Sequence, residues 1–221
     1  HQAESTSADN IGVGYHAGYY ISSGDRNICI GSTAGCSGGA TGVSLTTGSD
    51  NIIIGAASDV SAADADYQIV MGYNVTGNAD DSFCFGNGTT DSAIAFGATS
   101  ITAPSDIRLK EDIEDEVVGL DFINELRPVT FRWKKAKDVP EELSAHSTSE
   151  KRVMNGKYNH GFISQEVKEV IDNNPDIKEG FDMWTEDEAD GRQRIGESAL
   201  IPMLVKSIQE LTARIEELEG E

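Results

Sequence analysis

Asn51-Ile52-Ile53-Ile54-Gly55 reads as a three-residue strand closed by glycine, and the same unit recurs through the first half of the chain. The other copies run Asn10 to Gly14, Asn27 to Gly31, Gln68 to Gly72, Ser82 to Gly86 and Ala93 to Gly97. Each has a polar or small residue, then two apolar residues flanking a variable one, then glycine. Successive closing glycines lie 17, 24, 17, 14 and 11 residues apart, which leaves room only for turns and short loops. One copy is too small to bury its own face, so stacked copies, or copies from neighbouring chains, must complete the core. The middle positions Gly12, Cys29, Ile53, Val70, Cys84 and Ala95 are all small or apolar. That second strand face is therefore expected to pack between subunits, the alternative being a monomeric β-roll or sandwich.

Composition changes sharply along the 221 residues. Residues 1–104 hold one basic residue, Arg26, ten acidic ones and 16 of the 23 glycines. Residues 105–221 hold the other 16 basic and 28 acidic residues, so a domain boundary is expected before Ser105. The net charge of −21 repels phosphate backbones and anionic head groups, which argues against nucleic-acid partners and basic-patch membrane binding. No apolar run is long enough to span a bilayer, and the opening residues lack the order of a secretory leader. Cys29, Cys36 and Cys84 include no C-x-x-C pair and are expected to be small buried hydrophobes in a reducing compartment.

The second half reads as α+β. Val118, Phe122, Ile123 and Leu126 fall at helical spacing before Pro128, and Val129, Phe131 and Trp133 then alternate as one strand face. Residues 138–159 carry almost no periodic signal and read as a surface loop, followed by a short strand or turn at His160 to Ile163. Ser164 is expected to N-cap a helix ended by Asn173-Asn174-Pro175, and Phe181 to Thr185 with Arg192 to Ile195 to form a hairpin. Ile201, Leu204, Ile208, Leu211, Ile215 and Leu218, spaced 3 and 4 apart, predict a coiled-coil helix over about 199–219. Ile at a with Leu at d would alone favour a parallel dimer.

At the junction stand Ser105-Asp106-Ile107-Arg108-Leu109-Lys110, then Gly119-Leu-Asp-Phe-Ile-Asn-Glu-Leu-Arg-Pro-Val-Thr-Phe-Arg-Trp133, then His160-Gly-Phe-Ile and the Ala199-to-Leu211 helix. In this order they closely resemble the C-terminal intramolecular chaperone domain of phage tailspikes and tail fibres, the auto-processing family that includes endosialidases. The resemblance covers 105 to about 218, while the glycine-closed units resemble repeats of trimeric adhesin heads and phage fibre shafts. It implies the C-terminal part of a fibre: an all-β, Gly-rich region at 1–104, its repeat strands in an intertwined homotrimer, then an α+β chaperone domain at 105–221 ending in the coiled-coil helix. It also implies self-cleavage of the Pro104–Ser105 bond, with Ser105 as nucleophile and Lys110 as general base. Asp106, Arg108 and His160 are candidate supporting residues. Residues 1–104 are then expected to meet a host-surface glycan or protein, and the chain to sit in the virion tail after assembly in the host cytoplasm.

A serine hydroxyl attacks a peptide carbonyl only if a base takes its proton, and lysine is a base only when burial or positive charge favours its neutral form. Residues five apart share neither a helix face nor a strand face. Ser105 and Lys110 must therefore be joined by a turn or by a neighbouring chain, and cleavage is expected to depend on assembly. No cofactor or metal is expected: the acidic runs 111–116 and 186–190 lack the EF-hand spacing. His16 and His146 are expected to be solvated and His160 to hold a core hydrogen bond. Trp133 and Trp184 are expected to be core or chain-interface anchors. Two other functions stand beside this one: a receptor-binding module using the 31–51 or 55–68 loops with a chaperone that never cleaves, and a glycan hydrolase, for which 1–104 shows no paired carboxylates.

Overall fold

A computed structural model describes residues 6–36, 42–177 and 181–220; His1 and part of the 31–51 connection lie outside them. The chain divides into two compact units, His1–Asp112 and Ile113–Glu221. Residues 105–112 thus pack with the β unit, although the composition changes before Ser105.

The first unit is β-solenoid-like. Strands β1 (Ile11–Val13), β2 (Ile28–Ile30), β3 (Ile52–Ile54), β4 (Gln68–Tyr73) and β5 (Ser82–Asn87) stack in chain order, all parallel. They are in register, so Cys29, Ile53, Val70 and Cys84 form one column. All four are fully buried within the chain. This corrects the expectation that the middle face packs between subunits: the coils of one chain close that core themselves. The flanking apolar pairs form the opposite face, where Ile11, Val13, Ile30 and Met71 are exposed. The sixth copy departs from the rest. Its strand β6 (Asp91–Ala95) runs antiparallel to β5, buries Ala93 rather than Ala95, and ends the parallel stack.

The polar position before each strand has its own reason. Asn27 donates from its backbone N–H and Nδ2 to Asn10 Oδ1 (2.8 and 3.0 Å), and Asn51 does the same to Asn27 Oδ1 (3.0 Å each). Gln68 N–H then donates to Asn51 Oδ1 at 2.9 Å. The same amides donate to Gly48 O and Ala65 O, so a buried polar column is satisfied coil by coil.

The thiols follow from this burial. Cys29 is pushed up to about 12 by desolvation, and Cys36 is raised for the same reason. At pH 8 the folded protein is expected to leave all three cysteines unlabelled by a disulfide reagent, with labelling only after urea unfolding. Stoichiometric labelling without urea would contradict the burial.

The second unit contains α1 (Leu120–Glu125), the antiparallel pair β7 (Val129–Phe131) and β8 (Asn159–Gly161), α2 (Ser164–Asn173), the hairpin β9 (Trp184–Glu186) and β10 (Gln193–Ile195), and α3 (Ile201–Glu219). Its core gathers Val118, Phe122, Leu126, Val167, Met183, Leu200 and Met203. Ser164 is the first helical residue rather than the cap; Val167 N–H bonds the Ile163 carbonyl instead. Trp133 and Trp184 are half-buried; the indole N–H of Trp184 donates to Gln193 Oε1 (3.2 Å), and Lys168 Nζ lies 5.1 Å from its ring centroid. Helix α3 turns Met203 and Ser207 inward, and Glu210 accepts the Leu120 N–H at the start of α1 at 2.9 Å. Its other side, Ile201, Leu204, Ile208, Leu211, Ile215 and Leu218, is exposed by 43–74%.

Asp187 closes the β9–β10 hairpin by accepting from Arg194 (2.5 and 2.7 Å) and Arg192 (3.0 Å). The Arg194 guanidinium leads in holding its carboxyl down to about 2. A lowered carboxylate stabilises the fold above its unfolded pKa of about 3.9, and that contribution is lost as pH falls toward 2. Arg194→Ala is expected to return the Asp187 titration toward the ordinary range, read by carboxyl carbon NMR.

Candidate functional site

The segment after β6 is tied to the sheet before it reaches the site. Thr102 and Ala93 exchange backbone hydrogen bonds (2.7 and 2.8 Å), which fixes the chain one residue before Ala103-Pro104. A single 3-10 turn, Ile107–Leu109, then reverses direction. Asp106 is its cap: Oδ1 accepts the Arg108 N–H at 2.9 Å, and Lys110 N–H returns to the Ile107 carbonyl at 3.2 Å.

The turn brings Lys110 Nζ to 2.7 Å from Ser105 Oγ, with Nζ donating. Of the two ways of joining residues five apart, a turn within one chain suffices for the contact. Both side chains are exposed. Arg108 spends its charge on Asp106, donating from Nε (3.0 Å) and Nη2 (2.5 Å), and this pair holds the Asp106 carboxyl below its usual range. Positive charge from Arg108 is thus largely neutralised beside the lysine.

Sequence reading missed the β5–β6 hairpin as part of this site. A cavity of about 470 Å³ is lined by Phe85, Thr90, Asp91, Ala103, Pro104 and Leu109, so the hairpin flanks the acyl side of the Pro104–Ser105 bond. Asn87-Gly88 was the signal for that turn; the Asn87 side chain accepts the Thr89 and Thr90 N–H groups at 3.0 Å.

His160 belongs to the second unit, on β8 opposite Thr130, and is exposed rather than held in the core. An edge strand three residues long leaves that side chain facing solvent. His146 is half-buried with Nδ1 2.7 Å from the Val139 carbonyl, not freely solvated. His16 is exposed but stacked between rings. Among the described residues no histidine, cysteine and carboxylate group gathers as a metal site, and no helix is long and apolar enough to cross a membrane.

Residues 105–174 match the family model described as chaperone of endosialidase. The match begins at Ser105 and ends just past α2. No curated protein and no solved structure matches the chain.

Proposed function

We propose, from the chaperone-of-endosialidase domain that residues 105–174 are, that this chain folds as a homotrimer and is then cut between Pro104 and Ser105. Domains of this family are auto-cleaving chaperones of phage tail proteins. The chain is then part of a tail fibre or tailspike, assembled in the host cytoplasm and carried in the virion tail. The observation that carries this reading is the 2.7 Å contact between Lys110 and Ser105 at the first residue of the matched segment.

In the proposed reaction, neutral Lys110 Nζ takes the Ser105 Oγ proton and Oγ bonds to the Pro104 carbonyl carbon. The C–N bond to Ser105 breaks, and its nitrogen leaves as an amine carrying the proton returned by Lys110. The product is an ester between the Pro104 acyl group and Ser105 Oγ. Water hydrolyses it to a Pro104 carboxylate and a free Ser105 hydroxyl.

The neutral amine is the limiting requirement. Ile107 and Leu109, each 73% exposed, belong to the turn that leads into Lys110. Covering them with neighbouring copies removes water from the amine and favours its uncharged form. Cleavage then reports completed assembly. Two uncovered apolar faces support association of copies, each within its own unit: the flanking residues of the parallel sheet and the heptad seam of α3, while the number three rests on the family.

A second reading keeps the trimer but not the cut, as a permanent trimerisation domain on a receptor-binding tip; the exposure of Ser105 and Lys110 favours it. Native and denaturing mass of the same sample separates them. Trimers whose chains split into 1–104 and 105–221 are expected. Intact trimers select the second reading, and efficient splitting of a strict monomer removes the assembly step.

A further inference from the structure

The turn after β1 carries Tyr15-His16-Ala17-Gly18-Tyr19-Tyr20. His16 stacks on Tyr15 (centroids 4.0 Å, 16° between planes) and on Tyr19 (4.7 Å, 27°), and Tyr19 meets Tyr20 edge-on at 5.1 Å. Tyr15 is 69% exposed, Tyr20 46% and Tyr19 37%. The solenoid does not require rings here. Backbone bonds from Thr33 to Tyr15 and from Ala57 to Ser32 align this turn with the next two, which place Ser32-Thr33 and Ala56-Ala57 at the Tyr15-His16 positions. The same bonds, with Gly18 N–H to the Ala34 carbonyl (2.9 Å), hold the aromatic segment in place, so little entropy remains to be lost on binding.

Tyr20 forms one wall of an open groove of about 660 Å³, with Val43, Ser44, Thr46, Ser61 and Ala62 among its lining. Thr46 Oγ1 donates to the Ala63 carbonyl and Ser61 Oγ accepts from Gln68, so Thr46 offers an acceptor and Ser61 a donor to the groove. Arg26, the sole basic residue of 1–104, is bound to Asp50 at 2.6 Å. The face therefore has no free cation for a phosphate, sulfate or sugar carboxylate.

We propose that Tyr20 and this groove bind an uncharged or amino pyranose, whose axial C–H face packs on the ring while its hydroxyls meet Ser44, Thr46 and Ser61. C–H groups of a sugar carry partial positive charge and suit the negative face of a phenol ring. The mixture of one ring wall and several hydroxyls fits an equatorial polyol better than an apolar peptide. This site goes beyond folding and cleavage and stands without either.

The test is saturation-transfer NMR on the full chain with methyl α-glucopyranoside, N-acetylglucosamine, glucosamine and N-acetylneuraminic acid as probes. Saturation on the ring C–H protons of at least one of the first three is expected, and none on the carboxylated sugar. Tyr20→Ala is expected to weaken that binding about tenfold and Tyr20→Trp to keep it. Circular dichroism and native mass confirm that both variants fold and assemble as before. Absence of transfer to all three sugars overturns the proposal, as does equal transfer to N-acetylneuraminic acid or an unchanged signal in Tyr20→Ala. A changed assembly mass in Tyr20→Ala overturns it too, because the rings then serve a contact between copies.

Discussion

Ser105→Ala and Lys110→Ala are each expected to leave the purified chain whole while the unaltered chain splits at Pro104–Ser105. Removing Oγ removes the atom that bonds to the carbonyl, so no slower version of the same route remains. Removing the amine takes away the proton acceptor, a loss of about a hundred- to ten-thousandfold in rate. Lys110→Arg is the sharper variant. It keeps the cation and its reach to Ser105 Oγ, but a guanidinium does not deprotonate in a protein, so the chain is expected to stay whole. Fragment mass over time checks all three. Cleavage persisting in Lys110→Arg would show that Lys110 merely positions the serine. Arg108→Ala is expected to cleave still, because Arg108 is engaged with Asp106 rather than with the reacting atoms.

Much of this arrangement is legible in the residues, for reasons that also mark where reading stops. Alternation in Asn51-Ile52-Ile53-Ile54-Gly55 defines two strand faces but does not say which points inward. That choice is made by register between coils, a long-range property: Cys29, Ile53, Val70 and Cys84 face one another only once the coils stack. The leading polar residue carries no local sign of its role, because a buried amide column needs three coils in place before it exists. Helix α1, its stop before Pro128, hairpin β9–β10 and α3 are local patterns, and they fall where the periodicity puts them. The domain edge differs because composition and packing measure different things. Residues 105–112 are charged like the second half, yet Leu109 lines a cavity with Phe85 and Thr90 of the first. At the site, spacing demanded a turn or a second chain, and the Asp106 cap is the local feature that makes it a turn.

Gly55→Ala is expected to unfold the solenoid. Gly14, Gly31, Gly55, Gly72 and Gly86 stand one above another with φ between 130° and 144°, a region L side chains rarely enter. Strain is the smaller part of the cost. A Cβ on Gly55 would lie 1.6 Å from the Gly72 carbonyl oxygen and 2.6 Å from its carbon. Both are backbone atoms of the next coil, so no side chain can turn aside, and relief requires β3 and β4 to separate where Ile53 packs on Val70. A cost above about 4 kcal/mol is expected, a large share of a domain's stability. Gly97→Ala is the control, because Gly97 also has positive φ (83°) but nothing lies within 4 Å of its added Cβ. It should cost only the left-handed penalty of about 1–2 kcal/mol. Cys29, Cys36 and Cys84 all lie in the solenoid, whereas Trp133 and Trp184 lie in the second unit. Thiol labelling without urea should therefore become complete in Gly55→Ala and stay absent in Gly97→Ala, with tryptophan emission reporting the second unit separately. Protected thiols in Gly55→Ala would mean that the coils do not approach through their glycines, and the parallel stack itself would be wrong.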